Sequence, residues 1–443
     1  MNYRYHLFLT VLLSLPLCLF AQRKWTLDEC VQYAVENNIN IQQREIDLKI
    51  QEIRLNTSKN AWLPDLGLLL AEQVSFGNYN LSTGVVKDQT EDESSDLSYT
   101  TGRITMTMPI YGGRRIRNTV EAETFSLNAA TANLEKARKD IGIQIASYYL
   151  QCLYSKSMED VARSQVEVSR KLVERATILV NDGKRPLSEK AEAEAQLSND
   201  EYLLADAEGQ SVLSCLSLSQ LLNLPSVENF DVAELDSAFE SEEFPHPDMM
   251  YDEVVETFPS IVAARSLIES GKARVKIAKS AFYPTVELVT YIGAFYVKMF
   301  NREFNPDLSN FNFFRNSMNE VVGLHMSVPI FNRFATRNNV NMAKLGVQNM
   351  QLSLDDARLT LRKEIQTAYY NAVVAKGKLD AALKSVQSSA ISVGFEEERY
   401  DAGRSNIFDL QMAQQKHLQA QQNAVQTKYE YLIRKRILQF YYD

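Results

Sequence analysis

Residues 182–196 read DGKRPLSEKAEAEAQ and residues 402–416 read AGRSNIFDLQMAQQK. In each stretch a glycine is followed by a basic residue, an acid stands six positions after the glycine, and an alanine stands four further on, at the start of a helix-forming tract. Gly183 and Gly403 lie 220 residues apart in a chain of 443. A helix stop repeated at half the chain length asks whether the rest repeats as well. It does. Trp62-Leu63-Pro64 matches Phe282-Tyr283-Pro284, and TMPIYGGRRIRN from residue 107 matches SVPIFNRFATRN from residue 327, both at the same offset. The pair Tyr148-Tyr149 matches Tyr369-Tyr370 with a slip of one residue. The chain reads as a tandem duplication.

Glycine (16) and proline (11) are sparse, so breaks are few and the elements are long. In the second copy the series Val340, Ala343, Val347, Met350, Leu354, Ala357, Leu361, Ile365, Ala368, Ala372, Ala375, Leu379, Ala382, Val386, Ala390 and Val393 advances in steps of three and four. A mean step of about 3.5 residues is a coiled-coil seam. Its many alanines let partner helices approach closely. The first copy keeps apolar residues at most equivalent positions, among them Leu127, Leu134, Ile141, Ile145 and Val166. Helices of about 65–70 residues would be on the order of 100 Å long.

Short alternating segments precede each long helix. Ile104, Met106, Met108 and Ile110 alternate with polar neighbours, as do Leu324, Met326 and Val328. Each segment pairs in the reading with an earlier one led by Pro64 or Pro284, while Pro109 and Pro329 mark the passage from strand to helix. The strands have about the length that crosses a bilayer when tilted. The stretches 78–96 and 301–319 between them read as exposed loops.

The expected organisation is a signal peptide at 1–21 and a first repeat at 22–225, with strands near 64–76 and 102–110, a long helix 114–182, a tip turn and a helix 187–222. A linker at 226–245 follows. The second repeat, 246–443, has a helix, strands near 284–297 and 321–330, a long helix 333–402, a tip turn and a helix 407–440. The uncharged run Leu7–Ala21 is too short to span a membrane and reads as a secretory signal, with lipidation of Cys18 as the alternative. Cys30, Cys152 and Cys215 then remain, an odd number in helical sequence, and are expected to be buried thiols rather than a disulfide framework. A net charge of −9 argues against a nucleic-acid partner. No later run is long enough for a transmembrane helix, so entry into a membrane requires strands. Four strands cannot close a barrel by themselves, which makes an oligomer necessary.

The duplication, the signal, the proline-led strand pairs and the paired glycine turns resemble the outer membrane efflux proteins, the channel-tunnel family of Gram-negative bacteria. The resemblance covers nearly all of the mature sequence. It implies a mainly α fold in which three protomers each give four strands to one twelve-stranded outer-membrane barrel and their helical hairpins to a periplasmic tunnel. It implies that the tip residues Gly183, Lys184, Arg185, Gly403, Arg404 and Ser405 dock with a periplasmic adaptor protein coupled to an inner-membrane pump. It further implies a gate built from Asp409, from Glu189 with Ser188 before it, and from Tyr400. The chain departs from the family where some members place a second acid, here Met412, and where they place a basic residue two after the second glycine, here Ser405.

The implied function is a passive exit duct for small molecules in a tripartite efflux system. A type I protein secretion duct has the same architecture, and a non-channel periplasmic coiled-coil adaptor is a more distant reading, opposed by the two hairpins and the strand pairs. No enzyme is expected. His246, His325 and His417 have no metal-site spacing, no phosphate-loop sequence is present, and no cofactor is implied. Gly112-Gly113 sits where a strand turns into a helix.

Overall fold

The computed structural model describes residues 24–76, 97–224, 230–235, 245–299 and 317–442. The signal segment 1–21 with Cys18, most of both loops and much of the 226–245 linker lie outside the described residues. In chain order the elements are β1 (Lys24–Trp25), α1 (Leu27–Asn37), α2 (Ile39–Asn60), β2 (Asp65–Ser75), β3 (Leu97–Gly112), α3 (Arg115–Asn181), α4 (Leu187–Leu221), β4 (Asp231–Val232), α5 (Pro247–Val254), α6 (Pro259–Ser280), β5 (Thr285–Met299), β6 (Asn319–Ser327), α7 (Ala335–Asp401) and α8 (Ile407–Tyr442). The two long helices are 67 residues each. The chain divides into one unit of residues 47–132 and 262–356 and another of 1–46, 133–261 and 357–443.

The first of these units contains the four-stranded sheet, in the order β2-β3-β5-β6 with every pair antiparallel. Its two middle strands come from different copies of the repeat, and β2 and β6 are left as open edges. Side chains alternate between faces, so the register places Leu66, Leu68, Leu70, Ile104, Ile292, Val322, Leu324 and Met326 on one face. All eight are exposed; Leu70 is 73% and Val322 77% accessible. Glu72, whose carboxylate bonds the hydroxyls of Ser98 and Thr100, bounds that apolar band at one end. The opposite face carries Gln73, Thr101, Arg103, Thr105, Tyr291 and His325. A continuous exposed apolar face of this kind marks contact with lipid or another chain.

β3 is longer than its alternating sequence suggests, because the ladder to β5 continues from Leu97–Met299 to Gly112–Thr285. Pro109, expected at the strand-to-helix passage, lies inside β3, where the register shifts between Pro109 and Tyr111. A bulge there accommodates a residue without an N–H. Pro64 and Pro284 stand immediately before β2 and β5, and Pro329 stands two residues past β6. The passage into α3 uses two consecutive left-handed residues, Gly113 (φ 60°) and Arg114 (φ 64°). At the same offset, Arg333 (φ 54°) and Phe334 (φ 62°) do the same before α7. A Cβ on Gly113 would stand 2.8 Å from the Ser280 carbonyl oxygen, so the first copy needs glycine for space as well as for conformation.

In the other unit the helices fold back as hairpins. Pairs nest around each tip: Ser169 with Asp200, and Ser389 with His417 at 2.9 Å. Fifteen of the sixteen seam residues of α7 are buried or half-buried, and Ala390 is exposed. The expectation of three thiols is corrected here, since Cys152 of α3 and Cys215 of α4 form a disulfide. The reason is the hairpin itself: Cys152 lies 31 residues before Gly183 and Cys215 lies 32 after it, so the antiparallel return sets them side by side. Cys30 remains a buried free thiol, pushed up to about 12 by burial and then by the charge of Glu29. Nearby, the short parallel pair β1–β4 is fastened to α3 by the Tyr149 hydroxyl, 2.6 Å from the Ala233 carbonyl oxygen and 3.0 Å from that of Trp25. Lys156 adds an ion pair to Asp231.

Candidate functional site

The two hairpin tips share one backbone solution. The N–H of Gly183 donates to the Val180 carbonyl at 3.0 Å and that of Lys184 to Leu179 at 2.9 Å. In the second tip Gly403 donates to Tyr400 at 3.0 Å and Arg404 to Arg399 at 2.8 Å. This is a Schellman closure, and it requires a left-handed residue. Gly183 and Gly403 supply it at φ 68° and 70°. Nothing lies within 4 Å of where either Cβ would stand, so the dihedral angle alone selects glycine. The restarts differ. Pro186 occupies the N-cap of α4 without a side-chain cap, whereas Asn406 Oδ1 accepts the N–H of Asp409 at 2.9 Å.

Side chains then tie the first tip to the second. The guanidinium of Arg185 donates to the carbonyl oxygens of Tyr400 (3.3 Å) and Ser405 (3.2 Å), ion-pairs with Glu189 at 3.3 Å, and lies 4.9 Å from the centroid of the Tyr400 ring. The Tyr400 hydroxyl donates to the other oxygen of Glu189 at 3.1 Å. A second guanidinium, that of Arg175, lies 5.4 Å from the same centroid and pairs with Asp401. Beneath them Tyr400 is 1% exposed, packed with Leu172, Ala176, Ala193, Ile407 and Leu410. Burial, and then the adjacent Glu189 carboxylate, holds the Tyr400 phenol above the usual tyrosine range. The cluster is therefore a neutral phenol and an ion pair, mutually hydrogen-bonded and mostly screened from water.

Of the residues expected at a gate, the structure joins Tyr400 and Glu189. It does not bring in Ser188 or Asp409, which are exposed. The Asp409 carboxylate has no ion pair or hydrogen bond among the described residues. Of the residues expected to face a docking partner, Gly183, Lys184, Gly403 and Arg404 are exposed, with Lys184 paired to Asp182 at 3.0 Å. Arg185 and Ser405 are turned inward: the Arg185 side chain is 18% exposed and Ser405 is buried, its hydroxyl without a hydrogen-bond partner among the described residues. The second tip lacks a basic residue two after its glycine, where Ser405 stands. The structure supplies that cation from the same position of the first tip, Arg185. Arg175 carried no signal in the sequence, because its ring partner lies on another helix of the other repeat.

No group of residues suited to a metal ion, and no helix long and apolar enough to cross a membrane, occurs among the described residues.

Comparison with known proteins gives concordant results. Residues 30–224 and 250–441 match the family model described as outer membrane efflux protein. Protein CyaE of Bordetella pertussis is 24% identical over 312 residues, 69% of this chain and 64% of the relative. The chain thus spans a little under two thirds of that relative's length. Among solved structures, the Campylobacter jejuni CmeC outer membrane channel superposes with a TM-score of 0.76 at 19% identity, over 94% of this chain and 85% of the other. The outer membrane protein VceC from Vibrio cholerae superposes with a TM-score of 0.73 at 19% identity, over 94% and 96%.

Proposed function

Because the chain belongs to the outer membrane efflux protein family, we propose that this outer-membrane channel is the exit duct of a tripartite efflux system, fed by a periplasmic adaptor and an inner-membrane pump. It is a passive duct and not an enzyme. In this reading three protomers close one barrel of twelve strands in outer membrane lipid, and their hairpins form the periplasmic tunnel. The observation that carries it is the four-stranded sheet, with one exposed apolar face and two open edges. Unpaired edge groups in a bilayer cost several kcal/mol each, so such a sheet is stable in lipid only when other copies close it.

The tips then have two roles. The exposed face, with Gly183, Lys184, Gly403 and Arg404, meets the adaptor. The inward cluster of Arg185, Glu189 and Tyr400 latches the two hairpins of one protomer, and the carboxylates of three Asp409 residues, with Ser188 nearby, face the narrowed passage. Like charges so arranged attract cations and make the resting pore cation-selective. The test is the mass of the detergent-purified protein together with its conductance in planar bilayers. A trimer that conducts is expected, and a water-soluble monomer without conductance would overturn the proposal.

A further inference from the structure

The polar face of the sheet holds an arrangement that neither lipid contact nor the tips use. Arg103 of β3 stands opposite Gly293 of β5 in the antiparallel ladder. A Cβ on Gly293 would lie 3.2 Å from both Cβ and Cγ of Arg103 and 3.1 Å from the Gly102 carbonyl oxygen. The glycine therefore leaves the space in which the arginine stem rests. The guanidinium carbon lies 5.3 Å from the centroid of the Tyr291 ring, on the same face. Towards the loop end of that face, Tyr99 and Phe295 stack at 5.6 Å with their planes 25° apart.

The charge of Arg103 is uncompensated by ion pairing. No carboxylate lies within ion-pair distance of it among the described residues, and it is the one arginine or lysine on this face of the four strands. The nearest acid on this face is Asp65 of β2, four residues from Leu69, the β2 partner of Arg103. At about 3.3 Å per residue that is roughly 13 Å, beyond the ~8 Å screening length of physiological salt. A guanidinium seated against one ring still presents N–H donors in the fork geometry that takes up carboxylates and sulfonates. The half-buried rings beside it, Tyr291, Tyr99 and Phe295, offer partly open aromatic surface for stacking with planar solutes.

We infer that Arg103, seated on Gly293 and stacked on Tyr291, forms with its symmetry copies a cationic, aromatic-lined belt in the barrel lumen that binds small aromatic anions. The inference rests on the proposed reading that the polar face lines the pore of a closed barrel. It gives the barrel a charge opposite to that of the Asp409 carboxylates at the tips. A cargo with a flat ring and an acid group would meet its binding belt here, on the way out.

The full chain in planar bilayers tests this, with naphthalene-2-sulfonate added on the side of the strand-joining loops and methanesulfonate as the aliphatic control. Absence of conductance in the unmodified protein would refute the pore reading itself, and the belt with it. Given conductance, naphthalene-2-sulfonate is expected to block at a concentration about tenfold below methanesulfonate, since ring stacking adds to the charge-assisted contact. Arg103→Gln should abolish the difference and shift the reversal potential in a KCl gradient towards stronger cation selectivity. Arg103→Lys should keep the wild-type reversal potential but lose most of the naphthalenesulfonate block. Gly293→Val, which fills the seat and keeps the charge, should weaken the block in the same way. If Arg103→Gln conducts with unchanged reversal potential and unchanged block, the belt does not exist.

Discussion

At the first tip the cation two residues past the glycine, Arg185, is folded in against Tyr400, whereas at the second tip the equivalent position is the buried Ser405 and the adjacent cation, Arg404, is exposed. The acids part in the opposite sense. Glu189 is held between Arg185 and the Tyr400 hydroxyl, while the carboxylate of Asp409, its counterpart, has no partner among the described residues. Yet the backbone closures coincide almost bond for bond. The glycine dihedral and the carbonyls it satisfies fix the turn, and that requirement says nothing about side chains. The duplicated frame is thus free to divide the work: the first tip supplies the charged clasp, and the second supplies the ring and carbonyls that it holds.

The largest expected effect lies where the hairpins differ covalently. Only the first carries a disulfide, joining positions 63 residues apart. Cross-linking a loop of that size stabilises by about 4 kcal/mol in the chain-entropy model. The double variant Cys152→Ser with Cys215→Ser should therefore lower the thermal midpoint of the purified protein and open α3–α4 to protease while α7–α8 stays protected. Reductant should do the same to the unmodified protein and nothing further to the variant. Equal protection of both hairpins would show that packing alone holds them.

Next is the clasp. Arg185→Ala leaves a mostly buried Glu189 carboxylate without its cation and the Ser405 carbonyl oxygen without its donor, while the Tyr400 carbonyl keeps the Gly403 N–H, a loss of about 3 kcal/mol for breaking a buried pair from one side. Resting conductance should rise several-fold. Arg404→Ala, by contrast, should leave stability and resting conductance as they are. If the two variants behave alike, the asymmetry seen between the tips has no energetic content.

Tyr400→Phe removes one hydroxyl and keeps the ring, so its cost should be about 1 kcal/mol. The folded-state pKa of Tyr400 is raised. Its contribution is thus fully present below the ordinary tyrosine pKa, near 10, and is lost as the pH rises through the raised folded-state value. Conductance of the unmodified channel should climb in that alkaline window, and Tyr400→Phe should lack the climb while starting from a higher baseline. The same alkaline rise in both proteins would place the titrating group elsewhere.

These effects also mark how far the sequence could be read. Repeats, strand pairs and tips were legible because each rests on local chemistry: a glycine at positive φ, a proline before a strand, a seam every three or four residues. The extent of β3 was not, since Leu97 joins a strand only through pairing with Ser75 across a loop and with Met299, some two hundred residues away. Arg185 read as an exposed turn residue because the atoms it grips lie 215 and 220 residues further on. The disulfide needed one further step that the sequence did permit: two cysteines nearly equidistant from a hairpin glycine fall opposite each other. That symmetry is present in the spacing of Cys152, Gly183 and Cys215.

The smallest effect on the molecule should be the largest on its partner. Lys184 and Arg404 are exposed at matched positions, each directly after its glycine, and the closures there use backbone groups only. Lys184 pairs with exposed Asp182, an interaction that solvent and salt weaken. Lys184→Glu combined with Arg404→Glu should therefore leave oligomer yield, thermal midpoint and resting conductance unchanged. If these two charges form the face that meets an adaptor, the same double variant should abolish efflux-dependent drug tolerance in cells, and each single variant should lose part of it. The comparison between tips predicts a further asymmetry. Adding Arg185→Ala to the charge-reversed protein should raise resting conductance as much as it does alone, because clasp and docking face share no group. Full drug tolerance in the double variant would remove the docking role from both residues while leaving the clasp intact.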